Sequence, residues 1–270
     1  MNIFIELFIA LFKIPQLPIS LSKKLHLVFA LIKLSFLKII SKKKSPAKIN
    51  LFGFTIEDYN YRLLDYLVKE VFVSFDYNFK ADKSNPVIVD CGANVGMATL
   101  FFKWLYPNAK IYAFEPQPKT FGYLKSNVEV NNLKDVQIFN LALSNQNGFI
   151  DFYIDDSANL MGSILESRVS GQKVQVECKK LSDIVKEPID LLKVDVEGAE
   201  TLIMDDIIQN KLLNKQNIKQ ILMEYHHKIP NQKSVFGKFL IPFEESGYEY
   251  QLKTEYQNHD EFQDILIHFY

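Results

Sequence analysis

Four short apolar runs between residues 87 and 224 each end in a carboxylate: "VIVD" at Asp90, "IYAFE" at Glu115, "LLKVD" at Asp195 and "ILME" at Glu224. A buried strand excludes a bare carboxylate unless something pairs with it, so four such endings demand a shared explanation. Between the runs, apolar residues recur at helical spacing: Met97, Leu100, Phe101, Trp104 and Leu105 before Pro107; Phe121, Leu124 and Val128 after Pro118; then Leu202, Ile203 and Ile207. That alternation predicts a parallel sheet with crossover helices. "VQIFNLALS" supplies the third strand and "IKQILMEYHH" the fifth. "YEYQLKT" and "DILIHFY" lie too close together for a crossover helix and should pair antiparallel at the far side of the sheet. "GFIDFYI" and "KVQVECKKL" alternate as a hairpin-like insertion between Asn145 and Leu181, and residues 234–246 read as a helix closed by Gly247. The expected fold class is therefore α/β, a Rossmann-like doubly wound seven-stranded sheet, mostly parallel with an antiparallel C-terminal strand, plus an N-terminal helical extension. The division follows as a basic helical extension over 1–50, a lead-in over 51–85 and a catalytic domain over 86–270.

Ligands of open parallel sheets sit outside the carboxyl ends of the strands. Those ends carry Asp90, Glu115, Asp195 with Glu197, and Glu224 with His226. Repulsion among the acids calls for a cation or several hydroxyl donors in their midst. The first turn, "DCGANVG", spaces Gly92 and Gly96 by three residues and so lacks the middle glycine of the dinucleotide fingerprint GxGxxG. Asp90, just ahead of it, repels a pyrophosphate and attracts a sulfonium or an ammonium, both of which S-adenosylmethionine carries. Glu115 lies nineteen residues after Gly96 and is placed to accept ribose hydroxyls, as it would be for any adenosine cofactor.

"VDCGANVGMAT", "FEP", "NLALS", "LLKVDVEGAE" and "EYHH", in this order, resemble the FkbM-type methyltransferases, a branch of the class I S-adenosylmethionine-dependent fold, over about residues 60–250. The resemblance implies that Gly92, Asn94 and Gly96 line the methionine part of the cofactor, Glu115 its ribose, and the segment Asn140 to Ala142 its adenine. It also implies a hydroxyl acceptor on a sugar, glycan or natural product, because members of the family are mostly O-methyltransferases. Asp90 and Asp195 complete the candidate cofactor set.

Methyl transfer is an in-line displacement, so the acceptor must be held about 3 Å from the methyl carbon and lose its proton. His226, with an ordinary pKa of about 6.5, is the candidate general base. Glu224 is placed to raise and orient it, and Asp195 to bond the acceptor hydroxyl. Glu197 and Glu200 have an alternative role as caps of the following helix. Asp195, Glu197, Glu224 and His226 could equally hold a hard divalent ion such as magnesium, and the sequence leaves that open. Lys193, within its strand, could offset the acids. Substrate-shaping surface is expected from Phe72, Phe75, Tyr77 and Phe79 and from residues 157–170, with ordinary packing as the alternative.

Charge is divided unevenly. Residues 1–50 hold nine lysines and one acid, Glu6, whereas the whole chain has 31 bases and 32 acids, leaving 22 against 31 beyond residue 50. The acidic remainder argues against nucleic acid as partner. "MNIFIELFIALFKIP" is too short to span a bilayer, Lys33 and Lys38 interrupt the apolar run that follows Pro18, and no signal-cleavage pattern is present. What remains is a cationic apolar helix in which Leu21, Leu25, Val28, Ile32, Phe36 and Ile39 repeat at three or four residues. It suits either peripheral contact with the cytoplasmic membrane face or packing on the domain or a second subunit. Cys91 and Cys178 are far apart, with no metal-ligand spacing, which fits a reducing cytoplasmic compartment. Two weaker functional readings are methylation of RNA or another small molecule, and a non-catalytic cofactor-binding protein that recruits a partner at a membrane.

Overall fold

Pro15 and Pro18 divide the N-terminal apolar stretch as their missing amides require. In the computed structural model, which describes residues 3–41, 46–154, 162–164, 172–229, 235–254 and 263–270, helix α1 (Ile3–Lys13) ends in a short 3-10 turn, Ile14–Gln16. Helix α2 (Leu21–Ile40) then starts at Ser20, whose hydroxyl accepts the Lys23 amide. The hairpin β1 (Ala47–Leu51) and β2 (Phe54–Asp58) leads into α3 (Tyr61–Val68), where the Asn60 carboxamide caps the amides of Arg62 and Leu63. A single π turn, Lys69–Val73, continues α3.

The large sheet follows. Its elements are β3 (Val87–Cys91), α4 (Met97–Leu105), β4 (Lys110–Phe114), α5 (Pro118–Val130) and β5 (Val136–Phe139). A second, smaller sheet is built from β6 (Ala142–Leu143), β7 (Gly148–Ile154), β8 (Gly162–Ser163) and β9 (Gln172–Lys179). The chain returns through α6 (Leu181–Ile184), β10 (Ile189–Val194), α7 (Glu200–Gln209), β11 (Ile218–His227), α8 (Phe236–Glu245), β12 (Tyr250–Thr254) and β13 (Gln263–Phe269). Strand order in the large sheet is β12-β13-β11-β10-β3-β4-β5. The five strands from β11 to β5 are mutually parallel, and β13 runs antiparallel to both of its neighbours. This is the expected doubly wound, seven-stranded topology.

Alternation along each strand sends successive side chains to opposite faces. Ile88, Ile111, Ala113, Leu191 and Leu222 pack under α4, α5 and the N-terminal helices, whereas Val87, Val89, Phe114, Leu192, Val194 and Ile221 pack on α7 and α8. Leu27, Leu31 and Leu34 of α2 and Ile14 belong to the first of these clusters. The N-terminal segment is thus one layer of the main core and not a detached extension.

Two sequence expectations needed revision. "VQIFNLALS" is not one strand: it breaks after Phe139, and β6 joins the second sheet parallel to β9. The reason is Asn140, whose carboxamide donates to the carbonyls of Glu115 and Pro116 and turns the chain out of the large sheet. The hairpin expected between Asn145 and Leu181 is present as the antiparallel pair β7–β9, but β6 and β8 extend it to a four-stranded sheet in the order β6-β9-β7-β8. The predicted helix at 234–246 is α8, with Gly247 in a left-handed conformation behind it; residues 230–234 lie outside the described residues.

Candidate active site

The loop after β3 is held open by two glycines with positive φ. A Cβ on Gly92 would stand 1.8 Å from the Asp195 carbonyl oxygen, and one on Gly96 would stand 2.8 Å from Leu124 Cδ1. Only glycine lets the β3 loop approach the end of β10 this closely. Glu115 locks the same loop: its carboxylate accepts the Asn94 amide at 3.0 Å and the Gln117 amide at 2.9 Å. Burial raises its pKa to about 7 against those two bonds.

Register places Lys193 beside Asp90 on adjacent parallel strands. The ammonium donates to the Gly92 carbonyl at 2.7 Å and pairs with Asp90 at 3.2 Å and Asp195 at 3.5 Å. Burial alone would discharge Lys193, but the charges of Asp90 and Asp195 hold its pKa above the ordinary value. The offset anticipated for Lys193 is present. Asp90 is fully buried, with Lys193 on one oxygen and the Thr99 hydroxyl on the other at 2.8 Å. It therefore acts behind the cavity wall by holding Lys193 and α4, and not by direct contact with a cation.

A cavity of about 450 Å³ opens beyond this loop, lined by Gly92 to Ala98 except Gly96, by Lys193, Asp195, Glu197 and Glu224, and from the lead-in by Asp58, Arg62, Tyr66, Glu70 and Tyr77. Acids outnumber bases around it. A cationic ligand fits that donor set and a pyrophosphate does not. Burial, reinforced by the charge of Asp195, raises the pKa of Glu70 to about 8, and burial raises that of Asp58 to about 7.

His226 forms the polar centre at the end of β11. Its Nδ1 meets Glu200 Oε1 at 2.7 Å, and its Nε2 faces Glu197 at 3.4 Å and Glu224 and Asp264 at 3.9 Å each. Glu197 adopts a left-handed conformation, as does Gly198, so the turn after β10 doubles back and brings both Glu197 and Glu200 onto one imidazole. Burial works to lower the His226 pKa, but the Glu200 hydrogen bond and the charges of Glu200, Glu197 and Asp195 override it and raise it to about 9. Burial and Asp195 push Glu224 well above the carboxylate range. Two expectations change accordingly. The partner that orients His226 is Glu200, with Glu224 farther away, and the imidazole lies buried behind the acids that line the cavity. His227 points to the other face, against Tyr225 and Phe236.

The donor atoms of Asp195, Glu197 and His226 lie within 4.8 Å of one another, as do those of Glu224, His226 and Asp264. The four-residue metal expectation thus resolves into two triads sharing His226, the second including an acid from β13. Of the segment implied for adenine, Asn140 is exposed, while the Ala142 side chain is buried with Phe152, Val176 and Cys178 and is not available to a ligand.

The lead-in contributes more than was legible. Tyr66 and Glu70 come from α3 and the π turn, and the Tyr77 hydroxyl donates to Asp195 at 3.3 Å. Of the four aromatics expected to shape substrate, Tyr77 faces the cavity, whereas Phe72, Phe75 and Phe79 pack against Phe101, Phe102, Trp104 and Tyr106. Of residues 157–170, only Gly162 to Ile164 are described; there the Ser163 hydroxyl donates to the Glu197 carbonyl at 2.6 Å.

A family model described as the methyltransferase FkbM domain matches residues 90–250. The chain belongs to the FkbM methyltransferase family. This FkbM-family chain is 34% identical over 160 residues to Methyltransferase 1 of Beauveria bassiana, covering 51% of the chain and 64% of that protein. It is 32% identical over 139 residues to the 2-O-methyltransferase NoeI of Sinorhizobium fredii, covering 44% of the chain and 56% of NoeI. It is 26% identical over 209 residues to the 31-O-demethyl-FK506 methyltransferase FkbM of Streptomyces tacrolimicus, covering 64% and 79%. Its fold is similar to the crystal structure of an FkbM methyltransferase from Methylobacillus flagellatus, with a TM-score of 0.51 at 11% identity over 98% of this chain and 59% of that one. The chain thus spans less than two thirds of the Beauveria, Sinorhizobium and Methylobacillus proteins.

Proposed function

We propose that this chain is an S-adenosylmethionine-dependent O-methyltransferase acting on a hydroxyl of a sugar, glycan or glycolipid. The observation that carries the reading is the acid-rich cavity at the carboxyl ends of β3, β10 and β11, floored by a glycine loop that Glu115 and Lys193 hold in place. S-adenosylmethionine, when bound, supplies a methyl group on a positively charged sulfur. The backbone of Gly92 to Val95 would hold its methionine end, Glu115 its ribose, and Asp195 with Glu70 its charge. That NoeI is a 2-O-methyltransferase and the Streptomyces relative a 31-O-demethyl-FK506 methyltransferase supports oxygen as the atom methylated.

Glu224 lines the cavity and is the group placed to receive the acceptor proton, its raised pKa making the ionised form a stronger base. His226, charged and held by Glu200, is the positioning residue that stabilises the Glu224 carboxylate as it ionises. The two triads favour a second reading, in which a divalent cation at Asp195, Glu197 and His226, or at Glu224, His226 and Asp264, lowers the acceptor's pKa.

The first test is calorimetric titration of the full chain with S-adenosylmethionine, S-adenosylhomocysteine and NAD. Micromolar binding of the first two without an NAD signal is expected, and NAD binding alone would sink the reading. Radiolabelled methyl transfer to a panel of hydroxyl acceptors follows, with and without EDTA. Activity that survives EDTA removes the cation, and cofactor binding without transfer to any acceptor favours a non-catalytic role.

A further inference from the structure

Helix α2 is apolar on two sides. Leu27, Leu31 and Leu34 are buried in the main core, while Leu21, Leu25, Phe29, Ile32, Phe36, Ile39 and Ile40 face outward. Ile5, Phe8, Ile9 and Phe12 of α1 extend the outward face. Among the described residues, eleven of the eighteen large apolar side chains that stand exposed lie between Ile5 and Ile40, each 43–72% exposed. A patch of this extent marks an interaction surface. It is not a loosely attached segment. Lys38 bonds Glu6 at 2.8 Å and Asp65 at 2.6 Å, and Lys69 bonds Asp65 at 2.7 Å, pinning α1 and α2 to α3.

We propose that this face lies on an anionic lipid bilayer and that the acceptor hydroxyl is carried by a lipid anchored in that bilayer. Charge selects the occupant. The single acid of residues 1–50, Glu6, is spent on Lys38 and Lys69. Lys13 and Lys33 stand exposed near the apolar face, and the sequence continues from α2 into Lys42, Lys43 and Lys44. Apposing two copies through this face would bring the exposed Lys13 and Lys33 of each against those of the other, whereas an anionic surface attracts them. No described helix is long and apolar enough to cross a membrane, so the face rests in the headgroup layer.

The second part rests on the methyltransferase reading. A cavity of about 710 Å³ is walled on one side by Glu6, Ile9, Ala10 and Lys13 of α1 and shares Tyr66, Glu70, Tyr77 and Glu224 with the cofactor cavity. The helix that meets the bilayer is therefore also the outer wall of the route to Glu224. A polar headgroup bearing the hydroxyl enters there while its lipid tail stays in the membrane.

The test is flotation of the full chain with vesicles of phosphatidylcholine alone or with about one-third phosphatidylglycerol. At least tenfold more protein should float with the anionic vesicles, and salt should release it. The Phe8→Glu/Phe29→Glu/Phe36→Glu variant should lose at least tenfold of that binding with unchanged S-adenosylmethionine affinity. If that variant fails to fold, Lys33→Glu should cost several-fold. Equal flotation of the wild type and these variants overturns the proposal. So does a wild-type dimer in sedimentation that the phenylalanine variant dissociates, which would give the face to a second copy. Vesicle binding by a wild type that does not bind S-adenosylmethionine supports the docking face and overturns the acceptor route along with the methyltransferase reading.

Discussion

Glu115 is one carboxylate with an observed task, holding the glycine loop, and a proposed one, the cofactor ribose. Its oxygens are shared with the amides of Asn94 and Gln117, so Glu115→Ala should loosen the loop as well as remove the ribose contact. The expected result is at least a tenfold loss of S-adenosylmethionine affinity by calorimetry, and unchanged affinity would remove Glu115 from the ribose. Gly92→Ala should abolish measurable binding, because the added Cβ collides with the Asp195 carbonyl and the φ is positive. His226 gives a pH signature. Its folded pKa of about 9 lies above the ordinary 6.5, so the stabilisation from Glu200, Glu197 and Asp195 around it is fully present below pH 6.5 and is lost as pH rises through about 9. The shift corresponds to roughly 3 kcal/mol. Denaturant titrations from pH 6 to 10 should show that decline, and Glu200→Gln should start lower and decline less. NMR titration of His226 in the same variant should move its pKa back toward 6.5.

Within the N-terminal elements, ion pairing decides which way the helices face. Asp65 is buried between Lys38 and Lys69, and removing it strands two partly buried ammonium groups. Asp65→Ala is expected to cost about 3 kcal/mol in a denaturant titration, and a cost below about 0.5 kcal/mol would show that the pairs are no more than surface bridges. The stripe Leu21, Leu25, Val28, Ile32, Phe36 and Ile39 was read from its spacing, but spacing alone could not say that Val28 packs against the core while the other five face outward. The second stripe, Leu27, Leu31 and Leu34, takes the core because α3 and the β1–β2 hairpin pack on that side. Tyr66 and Glu70 escaped the sequence reading for a similar reason. A helix of eight residues followed by a π turn carries no periodic signal that its polar residues face a cavity completed by β10 and β11, more than a hundred positions later.

Across the whole molecule, the N-terminal forty residues supply core and not decoration. Deleting residues 1–41 exposes Ile49, Leu64 and Phe72 to water, so the truncated chain should melt at least 10 °C lower than the full chain or fail to remain soluble. A truncated form that melts with the full chain would show that the helices contribute no core. The parallel strands and their crossover helices, the glycine loop and the acids at the strand ends were legible, because period-two and helical alternation and positive-φ turns are local consequences of residue type. So was the placement of Lys193 among the acids. The role of His226 was not. Its pKa depends on Glu200 and Glu197 folding back across the β10 turn and on Asp195 at the end of β10, which gather around it only when the sheet closes. The same holds for Asp90, whose charge reads as ligand-binding until Lys193 on the neighbouring strand neutralises it. Local periodicity sets which residues share a face; which charge meets which is settled by long-range packing.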